Sequence, residues 1–229
     1  MQNLAPEDYA RLALPDQFIE DLMQEEEARW IVDQVQDCES VLELGWGSGI
    51  VTRALAAAGM RVTVVEGAGE SVAQASRVPG VMAIHSMFED YAPPVPVDCV
   101  VASFVLEHVA DPVALLRRIG NWTRRLVVVV GNAESWHRRL AVQMGLQEKL
   151  ESLSARDRMV GHHLVYSAHT IEVDLYRAGW LAHTLRGLMF KPLPNAMLEK
   201  MDKRLIGAMC KVDVEPRDAA NIGIVCERV

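Results

Sequence analysis

The segment from Val41 to Gly49 constrains the fold of this chain most strongly, because it joins an apolar run to three glycines on alternate positions. It reads Val-Leu-Glu-Leu-Gly-Trp-Gly-Ser-Gly. An apolar run of this kind indicates a buried parallel strand. Residues 52–58 then carry a helical pattern, so we predict a strand, a glycine turn and a helix. This arrangement lets a nucleotide-like ligand approach bare backbone at a helix N-terminus.

A second predicted strand, from Arg61 to Glu66, ends on an acid. An acid about 20 residues after the first glycine turn holds a pair of ribose hydroxyls in doubly wound folds. A carboxylate suits this role because it accepts two hydrogen bonds. The dinucleotide fingerprint Gly-x-Gly-x-x-Gly would place its third glycine where this chain has Ile50. Because this third glycine is missing, the sequence disfavours an NAD-dependent oxidoreductase, which is kept as an alternative function.

Another acid, Glu43, stands two residues before the first glycine of the turn. The three glycines are Gly45, Gly47 and Gly49. The order acid-x-Gly-x-Gly-x-Gly resembles the first motif of the class I S-adenosylmethionine-dependent methyltransferases. A later strand at 98–103, followed by Leu-Glu-His-Val at 106–109, extends the resemblance to the small-molecule branch of that family. The resemblance covers residues 41–130 and implies S-adenosylmethionine as the cofactor and methyl transfer as the activity.

Trp46 departs from the pattern of this family, which usually has a small residue at that position. Its indole would either lie over the cofactor pocket or block it. A second alternative is therefore a catalytically silent protein with a methyltransferase-like fold, which binds its ligand without turnover.

The resemblance places the cofactor against the first half of the sheet. The residues that it implies as cofactor contacts are Glu43, Gly45, Trp46, Gly47, Gly49, Glu66, Gly67, Met87, Phe88, Glu89, Ser103, Phe104 and Val105. Ligands of open α/β sheets lie beyond the carboxyl ends of the strands, so residues 103–105 are expected at the reactive end of the cofactor. For the adenine, the backbone of Met87 and Phe88 and the acid of Glu89 are alternatives.

The segment 135–166 is predicted to be an insertion that caps the acceptor. Methyl transfer needs a nucleophile held close to the methyl group with its lone pair free. A neutral imidazole can take the proton of an amine or hydroxyl. The candidate bases are His137 first, then His163, and His108, which is more simply a structural histidine. The candidate acceptor contacts are Tyr9, Trp136, Arg138, His162 and Tyr166.

Five strands that alternate with helices, then two final strands at 180–190 and 220–228, predict a doubly wound α/β sheet. The resemblance implies seven strands in the order 3-2-1-4-5-7-6, Rossmann-like, with only the seventh antiparallel. We expect one methyltransferase domain over residues 1–229, with an N-terminal arm and helix over 1–36. The acids of that helix, Glu25 to Glu27, are expected to form a solvated face.

Composition narrows the possible partners. The formal net charge of −8 argues against DNA or RNA as the main partner, because phosphate binding relies on clustered Lys and Arg. No apolar run reaches the about 18 residues of a membrane span, and no His, Cys or Asp spacing is typical of a metal site. The four cysteines show no Cys-x-x-Cys spacing and favour a reduced, cytoplasmic setting. We expect an enzyme that methylates nitrogen or oxygen of a small metabolite, with its oligomeric state open and a homodimer as the one named option.

Overall fold

The computed structural model describes residues 5, 7–8 and 17–229, and one seven-stranded sheet organises them in the order β3-β2-β1-β4-β5-β7-β6. The strands are Ser40–Leu44 (β1), Arg61–Glu66 (β2), Val81–His85 (β3), Cys99–Ser103 (β4), Arg125–Gly131 (β5), Trp180–Leu188 (β6) and Asn221–Arg228 (β7). β1 to β5 pair in parallel, and β7 runs antiparallel to both of its neighbours. The predicted fold class and strand order are confirmed.

Helices cover both faces of this sheet, and local sequence explains where several begin. The helices are Gln17–Gln34 (α1), Ile50–Ala57 (α2), Gly69–Ala75 (α3), Pro112–Ile119 (α4), Trp136–Gln143 (α5), Ala155–Met159 (α6), Ala168–Arg177 (α7), Asn195–Leu198 (α8) and Lys203–Lys211 (α9). α4 begins with Pro112 after Asp111, whose side chain accepts a hydrogen bond from the Ala114 N–H at 2.9 Å. α6 and α7 begin with serine capping boxes, at Ser154 and Ser167. None of the described helices is both long and apolar enough to cross a bilayer.

The core consists of two main apolar layers, because successive side chains of a strand point to opposite faces of the sheet. Leu126 and Val128 of β5 belong to the layer that α4 and α7 cover, whereas Val127 and Val129 belong to the layer beneath α1 and α2. A third cluster joins the start of α1, through Ile19, to α8 and α9. These contacts fix α1 along the carboxyl edge of the sheet.

The segment 135–166 leaves the sheet and returns to it at adjoining points. Asn132 pairs with Tyr166, and the Ala133 N–H donates a hydrogen bond of 2.7 Å to the Tyr166 carbonyl. α5 and α6 lie between these points. Tyr9, which was predicted to contact the acceptor, lies outside the described residues.

Candidate functional site

A cavity of about 360 Å³ lies beyond the carboxyl ends of the central strands. The turn after β1, the ends of β2, β4 and β5, and side chains from α1 and α5 line it. This is where ligands of open α/β sheets bind. The volume falls within the range of about 300–1,000 Å³ that is common for small-molecule sites.

The turn after β1 holds its three glycines in left-handed backbone, with φ of 82° at Gly45, 52° at Gly47 and 73° at Gly49. L side chains rarely adopt this conformation, so glycine is favoured at each position. A Cβ at Gly49 would also overlap the indole of Trp46. At Gly47, which lines the cavity, no described atom lies within 4 Å of an added Cβ. Glycine therefore makes room for the Trp46 indole at Gly49, whereas at Gly47 it leaves the backbone accessible from the cavity.

The indole of Trp46 lies in the core. Trp46 is 4% exposed and belongs to the apolar layer that includes Val51 and Leu55. The Arg53 guanidinium covers its ring at 5.3 Å from the centroid. Because the cavity is lined by other side chains, the indole neither lies over it nor blocks it.

Glu66, at the end of β2, is held by two backbone donors. Its Oε2 accepts the Trp46 N–H at 2.9 Å, and its Oε1 accepts the Ala68 N–H at 2.7 Å. A carboxylate offers about four lone-pair sites, so each oxygen keeps capacity for a second donor. Glu66 lines the cavity, and its oriented carboxylate can accept hydrogen bonds from two neighbouring hydroxyl groups.

The end of β4 shows local backbone strain. Phe104 lines the cavity and has φ of 53°, a left-handed conformation that is uncommon for a bulky residue. Its N–H donates to the Val129 carbonyl at 2.8 Å, which helps to hold this conformation. Strain of this kind costs about 1–3 kcal/mol and is concentrated at ligand sites.

Of the predicted cofactor contacts, Gly47, Glu66 and Phe104 line the cavity. The others are not among the residues that line it, and their contacts with a cofactor stay predictions: Glu43, Gly45, Trp46, Gly49, Gly67, Met87, Phe88, Glu89, Ser103 and Val105. Val105 and Phe88 pack against Gly45, within 3.8 Å of where its Cβ would be. The carboxyl of Glu43 is buried and accepts a hydrogen bond from the Thr52 hydroxyl at 2.6 Å, so it joins β1 to α2. Burial raises the pKa of Glu43 to about 8, against the opposing effect of Thr52.

Three histidines also line the cavity. His108, His137 and His162 line it, and the rings of His108 and His162 meet edge to face at 4.7 Å between centroids. Burial, followed by the neighbouring His162, lowers the pKa of His108 to about 4. Burial, followed by the charges of Lys191 and Arg138, lowers the pKa of His137 to about 3. His108 and His137 are therefore neutral at neutral pH.

Arg138 joins separate parts of the segment 135–166. Its Nη1 lies 2.9 Å from Asp157 Oδ2, and its Nη2 donates to the Ser152 carbonyl at 2.6 Å. Burial raises the pKa of Asp157, but His162 and Arg138 together outweigh it and hold that pKa well below its usual range. This buried pair connects α5 to α6 and presents a charged surface to the cavity.

The remaining predicted acceptor residues lie away from the cavity wall. His163 is exposed, and its backbone N–H donates to the Glu107 carbonyl at 2.8 Å. Trp136 is 40% exposed beneath the Arg139 guanidinium. Tyr166 is buried in the core, where its hydroxyl donates to Asp174 at 3.3 Å. Their roles with an acceptor stay predictions.

Several acids on the cavity wall have no role in the predicted site, and two of them, Glu27 and Glu107, are almost fully buried. Glu27 was expected on a solvated face, and this is wrong, since it is 3% exposed and lines the cavity. Glu20 and Gln24 also line the cavity, and their spacing with Glu27 is that of one helix face, a signal present in the sequence. Glu107 is 1% exposed and follows β4 within the motif at 106–109. Both carboxyl groups add buried polar surface that the predicted site lacked.

A family model described as a methyltransferase domain matches residues 7–185 of this chain. No curated protein matches the chain. Several solved structures share its fold.

Mitomycin 7-O-methyltransferase MmcR is 17% identical with a TM-score of 0.59, and the match covers 90% of this chain and 54% of that one. The chain thus spans about half the length of that protein. Magnesium protoporphyrin IX methyltransferase (ChlM) from Synechocystis PCC 6803, with bound SAH, is 14% identical with a TM-score of 0.65, covering 95% and 89%. The glycopeptide N-methyltransferase MtfA, complexed with sinefungin, is 14% identical with a TM-score of 0.58, covering 90% and 86%. At these identities the likeness shows the fold.

Proposed function

Since this chain belongs to the methyltransferase domain family, whose model matches residues 7–185, we propose that it transfers a methyl group from S-adenosylmethionine to nitrogen or oxygen of a small molecule. The observation that carries this proposal is a single cavity with two different ends. One end combines a bare glycine turn with the oriented carboxylate of Glu66. The other end is a buried wall of histidine and acidic side chains.

The first end, called the turn end below, comprises Gly47, Ser48, Glu66 and Phe104 and fits a nucleoside ligand. Glu66 would accept the ribose hydroxyls, because each of its oxygens retains a lone pair beyond its backbone bond. Gly47 would allow the ligand to approach the backbone closely. When bound, S-adenosylmethionine supplies a methyl group on a positively charged sulfur. The similar proteins with bound SAH or sinefungin support this assignment.

The second end, called the cap end below, comprises His108, His137, His162, Glu27 and Glu107 and would hold the acceptor. The chain's task there is to orient the acceptor's lone pair and to exclude water. Among the three candidate histidines, placement favours His137 and His108, since both line the cavity. The Arg138–Asp157 pair would hold α5 in place above the acceptor.

Trp46 was the sequence feature that favoured a silent binding protein. Its indole packs in the core, so no described side chain of the cavity wall now favours that alternative.

A cytoplasmic location is also part of the proposal. It is supported by the four cysteines, which all lie in the described part of the chain as free thiols.

Thermal unfolding with S-adenosylmethionine, S-adenosylhomocysteine or NAD tests the proposal. A ligand that binds only the folded state raises the Tm by mass action. We expect both adenosyl ligands to raise the Tm in proportion to the logarithm of their concentration, and NAD to leave it unchanged. A rise with NAD and none with either adenosyl ligand would support an oxidoreductase instead.

A further inference from the structure

Two acidic side chains accept hydrogen bonds from the two residues of one cross-strand pair on the carboxyl edge of the sheet. Gly131 of β5 is paired with Asn221 of β7. The Gly131 N–H donates to Glu107 Oε1 at 2.9 Å, and the Asn221 side-chain amide donates to Glu27 Oε1. Glu107 comes from the loop after β4, and Glu27 comes from α1. Two distant segments therefore bring their carboxyl groups to the same part of the cavity wall.

Each of these carboxyl groups has one oxygen without a partner. Glu27 Oε2 and Glu107 Oε2 are buried and accept no hydrogen bond from any described residue. A buried acceptor left without a donor destabilises the protein, and more so if it is charged. Both side chains line the cavity, so a ligand in the cavity is the natural source of donors.

The surrounding charges do not compensate these two acids. Burial raises the pKa of Glu27 to about 8. The hydrogen bond from Asn221 and the charge of Lys191 oppose this effect, and the carboxyl groups of Glu20 and Glu107 add to it. Burial also raises the pKa of Glu107. The nearby His162 opposes this effect, and the carboxylate of Asp157 adds to it. The nearby Arg138 is paired with Asp157. An additional positive charge between the two carboxyl groups would stabilise both in their ionised form.

We propose that the methyl acceptor is an amine, and that Glu27 and Glu107 bind its ammonium group. The inference rests on the proposed function. An ammonium group supplies donors to both unpartnered oxygens and also a compensating charge. An alcohol would supply the donor without the charge, and an anionic acceptor would add repulsion.

The same carboxyl groups account for the proton balance. An ammonium nitrogen has no lone pair, so one N–H bond must break and its proton must form an O–H bond on a carboxylate. A carboxyl group with a raised pKa accepts a proton more readily than an exposed one. The amine lone pair then forms the nitrogen–carbon bond while the carbon–sulfur bond breaks, and its electron pair stays on sulfur. The products are the methylated ammonium and the uncharged thioether.

Ligand-observed NMR titration with ethylammonium chloride and with ethanol tests the inference. The two probes have nearly the same shape and differ in charge. The protein is first saturated with sinefungin, whose amino group carries positive charge near the position of the sulfonium, so that the cofactor's own charge is represented. We expect ethylammonium to bind at least about tenfold more tightly than ethanol, and Glu27→Gln and Glu107→Gln each to remove about tenfold of its affinity.

Both variants keep an oxygen that can accept the existing hydrogen bond from Asn221 or Gly131. Glu25→Gln is the matched control, because it removes the same charge from an exposed position of the same helix, and it should leave ethylammonium binding unchanged. Equal binding of both probes, no binding of ethylammonium, or a preference that survives in the Glu27→Gln/Glu107→Gln double variant would overturn the inference.

The cofactor state separates the remaining outcomes. A preference for ethylammonium with S-adenosylhomocysteine but not with sinefungin would assign the two acids to the cofactor's charge and overturn the inference. Failure of sinefungin itself to bind would overturn the proposed function, and the inference with it. Sinefungin binding without discrimination between the probes would overturn the inference alone.

Discussion

The turn end and the cap end of the cavity differ in how their carboxyl groups are satisfied. At the turn end both oxygens of Glu66 accept backbone N–H groups. At the cap end Glu27 and Glu107 each have one oxygen with no partner among the described residues. The carboxylate at the turn end is thus oriented by the protein's own backbone, whereas the two carboxyl groups at the cap end are only partly satisfied by the described residues.

The two ends also rest on different supports. The turn end is built on packed apolar side chains, with Trp46 filling the space beside Gly49. The cap end is held by a buried ion pair between Arg138 and Asp157 and by hydrogen bonds to carbonyl groups. We therefore expect substitutions at the turn end to act mainly on stability and cofactor binding. At the cap end they should act on the charge state and on the acceptor.

Trp46→Ala should have the largest effect on stability. Removal of a buried tryptophan side chain costs about 3–5 kcal/mol. Trp136→Ala is the matched change at the first residue of α5, outside the cavity wall, where the indole is 40% exposed, and it should cost less than about 1 kcal/mol. Urea unfolding of both variants measures the difference, and equal losses would show that Trp46 is not a core residue.

Gly49→Ala should destabilise the protein by about 2–5 kcal/mol, since left-handed backbone costs a side chain about 1–2 kcal/mol and overpacking about 1–3 more. Its Cβ would overlap the indole of Trp46. Gly47→Ala meets no described atom within 4 Å and should lose only the backbone contribution of about 1–2 kcal/mol. Chemical denaturation of the two variants should separate them, and a larger loss at Gly47 would contradict the described packing.

The sequence predicts the turn end better than the cap end, because the residues that interact at the turn end lie closer together along the chain. The glycine turn and Glu66 depend on neighbours along two consecutive strands, so spacing was sufficient to find them. The direction of the Trp46 side chain depends on the packing of α1 and α2, which spacing does not describe. Glu27 and Glu107 meet only through the pairing of β5 with β7, which joins distant parts of the chain. Within α1, only the helical spacing of Glu20, Gln24 and Glu27 indicated a common face.

Glu27→Gln should change the pH dependence of stability. The folded pKa of Glu27, about 8, lies above its ordinary value of 4.5. Its contribution is therefore fully present below pH 4.5 and is lost as the pH rises through about 8, with a slope of up to about 1.4 kcal/mol per pH unit. Denaturation curves between these values should show a flatter profile for Glu27→Gln, while the equal contribution of Glu43 stays in both proteins. Parallel profiles would mean that Glu27 is ionised in the folded protein.

His137→Ala should lower the rate of methyl transfer by about tenfold and leave S-adenosylhomocysteine affinity within about twofold. An imidazole with a pKa of about 3 is a weak base, so its loss should fall below the factor of about 10² expected for a general base. The rate is measured as the formation of S-adenosylhomocysteine from S-adenosylmethionine in the presence of each amine of a panel. His169→Ala, which changes an exposed histidine of α7, is the control. A loss of 10² or more that shrinks at high pH would restore His137 as the general base.

Calorimetric titration of S-adenosylhomocysteine into the wild type, Glu66→Ala and Glu107→Gln tests most directly whether the turn end binds the cofactor and the cap end binds the acceptor. This assignment predicts that Glu66→Ala weakens binding by about 1.5–3 kcal/mol for each charge-assisted hydrogen bond lost, whereas Glu107→Gln binds within about twofold of the wild type. Unfolding midpoints of both variants should accompany the titration, because Glu66→Ala also removes the acceptor of two backbone N–H groups. Undiminished binding by folded Glu66→Ala, or an equal loss in Glu107→Gln, would contradict it.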